Sequence, residues 1–113
     1  MTIPQGSDHT IELRVKSISG NPIDLTDCTA ILVRFYTEKK EVVTECSIVA
    51  GTVEITNATS GLVNIYLSRL VLQNFTGKLY AQIDIDITNV HFESGVKRTR
   101  IIGSIIGDVV ESV

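Results

Sequence analysis

Between residues 79 and 88 apolar and polar side chains alternate without a break: Leu79, Ala81, Ile83, Ile85 and Ile87 against Tyr80, Gln82, Asp84, Asp86 and Thr88. Successive side chains of an extended chain point to opposite faces, so this stretch makes one apolar and one polar face only as a strand. Its length predicts a place at the centre of a sheet. The same alternation recurs at residues 10–16, where Ile11, Leu13 and Val15 share a face, and at 30–37, where Ile31, Val33 and Phe35 do. It recurs again at 62–68, with Val63, Ile65 and Leu67 as the inner set. Shorter strands are expected in "VVTECSI" and "VEIT", and the β-branched run "VKRTRIIGSIIGDVV" closes the chain with Gly103 and Gly107 at bulge or bend positions. Gly20-Asn21-Pro22, Ala50-Gly51-Thr52, "NATSG" and "NVHFESG" are the turns and loops, Val90 and Phe92 being expected to extend the strands beside the last of these. "RLVLQNFTG" breaks the period and fits at best one helical turn, with Ser68 as its N-cap and Gly77 as its stop.

About seven or eight short strands with frequent turn signals predict an all-β fold, an Ig-like antiparallel β-sandwich. A barrel fits less well. The absence of Trp, and hence of a Cys–Trp–Cys spacing, makes the likeness one of architecture and not of antibody-type sequence. At 113 residues the chain holds one core, so a single domain over 1–113 is expected, with residues 1–9 as an N-terminal arm. A net charge of −3 and a pI near 5.3 argue against a nucleic-acid partner, which needs clustered Lys and Arg. No run approaches a membrane span, and no secretion signal or membrane partner is expected. Cys28 and Cys46 read as reduced and partly buried, although spacing alone leaves a bridge between them open. With His9 and His91 the only histidines, no metal or other cofactor is expected. The triplets at Asn57 and Asn74 read as turn chemistry.

Ser7, Asp8 and His9 invite a catalytic reading, but neighbours on an extended chain cannot converge as a triad, and no nucleophile elbow supplies the missing partner. Asp84 and Asp86 share a strand face at a spacing that paired glycosidase carboxylates also use. The simpler expectation is a solvated polar face on which Lys97, Arg98 and Arg100 of the next strand pair with them. No phosphate-cradling glycine loop is present, and the chain is expected not to be an enzyme.

The order of segments resembles the Ig-like N-terminal domain of tailed-phage baseplate upper proteins and related small virion proteins. Gln5-Gly6-Ser7-Asp8 corresponds to the family's "QGD"- or "QGSD"-like opening, and residues 10–15 to its "TxxLxVx" strand. Residues 20–26 match "G-x-P-I-D-L-T", 55–67 the "I-x-N/D-x-x-x-G-x-V-x-I-x-L" stretch, 77–83 the "G-K/x-L/Y-x-A/Y-x-I" segment and 100–106 the closing strand. The resemblance spans nearly the whole chain and implies a non-enzymatic virion protein, assembled in the bacterial host cytoplasm. Its partners would be other virion proteins, at the capsid as a decoration or head-fibre-attachment protein, or at the tail or baseplate. A homo-oligomer and a surface glycan are further candidate partners, the glycan belonging to a carbohydrate-binding adhesion module as the competing reading. Expected contact residues are Gln5, Ser7, Asp8 and His9 of the arm, the hairpin tip Glu38, Lys39, Lys40 and Glu41, and Phe92 and Lys97 of the 89–97 loop.

Overall fold

A computed structural model describes residues 2–6, 8–17, 19–71 and 75–110, with the backbone path alone at Thr2 and 102–110. Eight strands follow in chain order: β1 (Thr2–Pro4), β2 (His9–Arg14), β3 (Cys28–Tyr36), β4 (Val42–Ser47), β5 (Val53–Asn57), β6 (Leu62–Leu67), β7 (Gly77–Thr88) and β8 (Val96–Val110). They form a five-stranded sheet ordered β1-β8-β7-β3-β4 and a three-stranded sheet ordered β2-β6-β5. All pairings are antiparallel except β1 with β8, where Ile3 lies opposite Val109 in a parallel register. In immunoglobulin terms β2, β6 and β5 occupy the B, E and D positions, and β8, β7, β3 and β4 occupy G, F, C and C′. The first strand departs from the ABED pattern by joining the end strand of the opposite sheet.

The alternation read from the sequence is the alternation of burial. Ile11 faces Ile65 across β2 and β6, while Ile31, Val33 and Phe35 of β3 lie opposite Ile85, Ile83 and Ala81 of β7. All of these are buried, with Val15, Leu25, Leu67 and Leu79, in one core cluster between the sheets. Full burial of each Val, Leu, Ile or Phe side chain contributes roughly 1.5–3 kcal/mol. The strand with the clearest alternation, β7, sits in the middle of its sheet. Register shifts in the β7–β8 ladder fall between Ile101 and Ser104 and between Ile105 and Gly107, beside the two glycines expected to bend the last strand.

Segments without alternation divide the outcome. Residues 24–27 cross between the sheets as an irregular link: the Asp24 carboxylate accepts hydrogen bonds from the Thr26 amide and hydroxyl, and Leu25 is buried with its N–H donating to Ala58 O. Those Thr26 donors hold the Asp24 carboxyl below its ordinary pKa. The helical turn expected after Ser68 is instead a single tight turn, with Val71 N–H donating to Ser68 O and Leu70 N–H to Ser68 Oγ. Its apolar residues are too few to offset helix nucleation, and Leu70 is exposed. Residues 72–74 of that segment, including Asn74, lie outside the described residues. Val90 and Phe92 do not extend their strands: Asn89 Oδ1 accepts from His91 N–H and closes a turn, leaving both side chains exposed. Among the described residues no helix is long and apolar enough to cross a membrane.

Both cysteines are free thiols, Cys46 buried and Cys28 half-buried. Cys46 lies opposite Val33, five residues along β3 from Cys28. That is roughly 17 Å at ~3.3 Å per residue, far beyond the ~7 Å limit for a bridge.

Candidate contact surfaces

The sandwich is long, 51 by 27 by 27 Å, and its loops fall at two ends. The expected contact residues are split between them. At one end the β3–β4 tip is held by Thr37, whose Oγ1 accepts from the N–H groups of Lys39 and Glu41 and whose N–H donates to Glu41 O. Lys40 takes a φ of 65°, the left-handed conformation that such a tip requires. Residues 38–41 are exposed there, beside a shallow hollow shared with Phe75, Gly77 and Lys78. Phe92 and Lys97 belong to the opposite end, ten residues of β7 away, or roughly 33 Å at ~3.3 Å per residue.

The stretch expected as an arm is tied into both sheets. Ile3 is buried in the core and Thr2–Pro4 pairs with Asp108–Val110. Gln5 Nε2 donates to Phe75 O, Asp8 Oδ1 accepts from Arg69 N–H at 2.6 Å, and His9 opens β2 opposite Leu67. Ser7 lies outside the described residues. The Asp8 carboxylate therefore pins the turn after β6, and His9 Nε2 is turned away from solvent with no hydrogen-bond partner among the described residues.

The aspartates of β7 are paired as the alternation suggests, but not in the way a solvated face would be. Arg100 Nε and Nη2 donate to the two carboxylate oxygens of Asp84 at 2.8 and 3.0 Å, and Arg98 does the same to Asp86 at 2.8 and 2.9 Å. Lys97 does not join them; it lies opposite Ile87. Asp84 is only 7 % exposed, because Leu32 on the neighbouring strand and the Arg100 guanidinium close over it. The guanidinium hydrogen bonds hold both carboxyls below their ordinary pKa against the opposing effect of burial. They raise the arginine pKa values reciprocally. A carboxylate kept ionised by a bidentate guanidinium has no proton to give near neutral pH, and each pair acts as a structural clamp across β7 and β8.

Aromatic rings are dispersed. Tyr36 and Tyr80 stack on each other at 5.9 Å, Phe35 is buried and Tyr66 donates its hydroxyl to Glu54. Among the described residues no three His, Cys, Asp or Glu side chains gather to hold a metal.

At the β7–β8 end large apolar side chains stand out on loops beside a cleft. Val90 is 86 % exposed, Phe92 47 % and, on the β4–β5 turn, Val49 93 %. The 89–95 loop that carries two of them is closed by its own bonds: Asn89 N–H to Gly95 O, Phe92 N–H to Asn89 O, and Gly95 N–H to Phe92 O. Beside it Ile23, Ile87 and Lys97 line a cleft of about 630 Å³. Sequence reading singles out Phe92 and Lys97 but misses Val49 and the cleft. The signal for Val49 was a bare valine in a turn; the cleft has no local signal, because its walls are far apart in the chain. No protein-family model and no curated protein matches this chain.

Proposed function

We propose that this chain is a non-enzymatic structural protein of a tailed-phage virion, an Ig-like module that docks through its loop ends on the assembled particle. The observation that carries docking is the 89–95 loop, a hydrogen-bonded and hence preorganised tip that holds Val90 and Phe92 in solvent. A rigid tip loses little entropy on binding, and a symmetric lattice multiplies a modest contact into avidity. The phage setting rests on the sequence resemblance, whose segments correspond to elements of the scaffold: residues 20–26 to the link between the sheets, 55–67 to the β5–β6 hairpin and 77–83 to the start of β7. The favoured location is the capsid surface, as a decoration or head-fibre-attachment protein, with the tail or baseplate as the alternative. A glycan-binding module is the weaker reading, since the tyrosines best placed to stack on a sugar stack on each other.

The test is mass spectrometry and cryo-electron microscopy of gradient-purified particles from a lysate expressing the chain. It is expected in the particle at a symmetric copy number with a loop end against the neighbouring subunit, and Val90→Asp is expected to deplete it. Absence from every virion fraction overturns the proposal.

A further inference from the structure

At the β7–β8 end a knob and a hole lie side by side. The knob is the internally bonded 89–95 loop, which presents an exposed aromatic ring, Phe92, followed at once by an exposed acid, Glu93. The hole is the cleft beside it, with Ile23 and Ile87 for a floor and Ser17, Asn89 and Lys97 around the rim. Arg98 and Arg100 are each clamped to an aspartate, whereas Lys97 has no ion-pair partner among the described residues. The cleft therefore offers an apolar floor with an uncommitted cation, and the loop carries an apolar anchor with an uncommitted anion.

We propose that a second copy of this chain occupies the cleft, in a two-fold dimer in which Phe92 of each protomer rests on Ile23 and Ile87 of the other and Glu93 meets Lys97. The complementarity of charge and polarity between loop and cleft selects a second copy over an unrelated partner. Phe92 is not among the residues that line the cleft of its own chain, and about half of its surface is open to solvent. Because knob and hole share one end of the molecule, a single two-fold rotation satisfies both at once and closes the assembly. A head-to-tail contact would leave one knob and one hole open. The loop is already held in its binding shape, so little ordering opposes association. The dimer takes Phe92 and Glu93 of the loop and leaves Val90, 86 % exposed in the single chain, to the particle; it does not depend on the virion reading, and its failure would leave that reading untouched.

Sedimentation velocity of the full chain from about 10 μM to about 1 mM covers the range of weak but specific association. A reversible, concentration-dependent dimer is expected. Phe92→Asp should raise the dissociation constant at least about tenfold, as truncation of a central aromatic anchor does, and each substitution acts twice in a symmetric dimer. Glu93→Lys and Lys97→Glu should each weaken it several-fold, and the two together should restore association by reversing the pair. Unchanged far-ultraviolet circular dichroism and unfolding midpoints show that these loop variants fold. A monomer over the whole range, a dimer indifferent to Phe92→Asp, or a double charge reversal that restores nothing each overturns the proposal.

Discussion

Replacing Gly61 by alanine should be the most damaging glycine-to-alanine change among the described glycines, since an added Cβ meets atoms within 4 Å at no other of them. Gly61 ends the β5–β6 turn with a φ of +71°, and its carbonyl accepts the Val15 N–H at 2.8 Å. A Cβ there would stand 2.7 Å from Val15 O and 2.8 Å from Ile23 O. Both are backbone atoms, and Val15 O is itself engaged by the Ile23 N–H at 2.9 Å, so neither can swing aside as a side chain would. The left-handed conformation costs an alanine about 1–2 kcal/mol, offset by about 0.4–1 kcal/mol from the stiffer unfolded chain. Overpacking against fixed atoms adds about 1–3 kcal/mol. The sum is roughly 1–5 kcal/mol with a centre near 3, or a fall in Tm of about 12–15 °C at that centre for a domain of this size. Gly51 supplies the control: its φ is +76°, but nothing lies within 4 Å of the added methyl, so Gly51→Ala should cost only about 1 kcal/mol. Urea and thermal unfolding of the two variants against the wild type measure the difference. If Gly61→Ala is no worse than Gly51→Ala, the close meeting of β2, the inter-sheet link and the β5–β6 turn is wrong.

The Asp84 carboxyl titrates below its ordinary value, chiefly through the Arg100 hydrogen bonds, so the pair stabilises the fold above the unfolded pKa and loses that effect as pH falls through the folded one. Asp84→Asn should therefore be destabilising at pH 7, with the gap to wild type closing below about pH 4 in unfolding curves; a gap constant down to pH 2 refutes the clamp. Burial raises the pKa of both thiols, Cys46 lying deeper in the core. A thiol reagent at neutral pH should leave Cys46 unmodified and label Cys28 slowly, while denaturant exposes both without reductant. Recovery of a disulfide-linked chain under non-reducing conditions contradicts the separation of the strands that carry them.

Much of the fold was legible because a strand's two faces are a local property. Ile31, Val33 and Phe35, or Leu79, Ala81, Ile83 and Ile85, declare their buried side through a period of two that needs no knowledge of the partner strand. Turn chemistry is equally local, and it placed the breaks at Gly51, Gly61 and Gly95, each with a positive φ. The candidate contacts were less legible. Phe92 and Lys97 were identifiable as an aromatic and a cation in a loop, but Asp8 looked like an exposed arm residue and proved to be an acceptor for Arg69, sixty-one positions away.

Residue order alone thus determined β2 to β8, most of the turns between them and which side of the alternating strands is apolar, because those depend on neighbours one or two positions apart. Tertiary structure decided what those strands meet. It seated Thr2–Pro4 beside the end of β8 and buried Ile3, sheltered Asp84 on what the pattern marked as a solvent face, and separated the contact residues onto two ends. It also brought Ile23 beside Ile87 and Lys97 to form the cleft. Contacts between residues so distant in the chain form only when burial of the shared core outweighs the entropy of closing the loops between them, a balance that no short window of sequence contains.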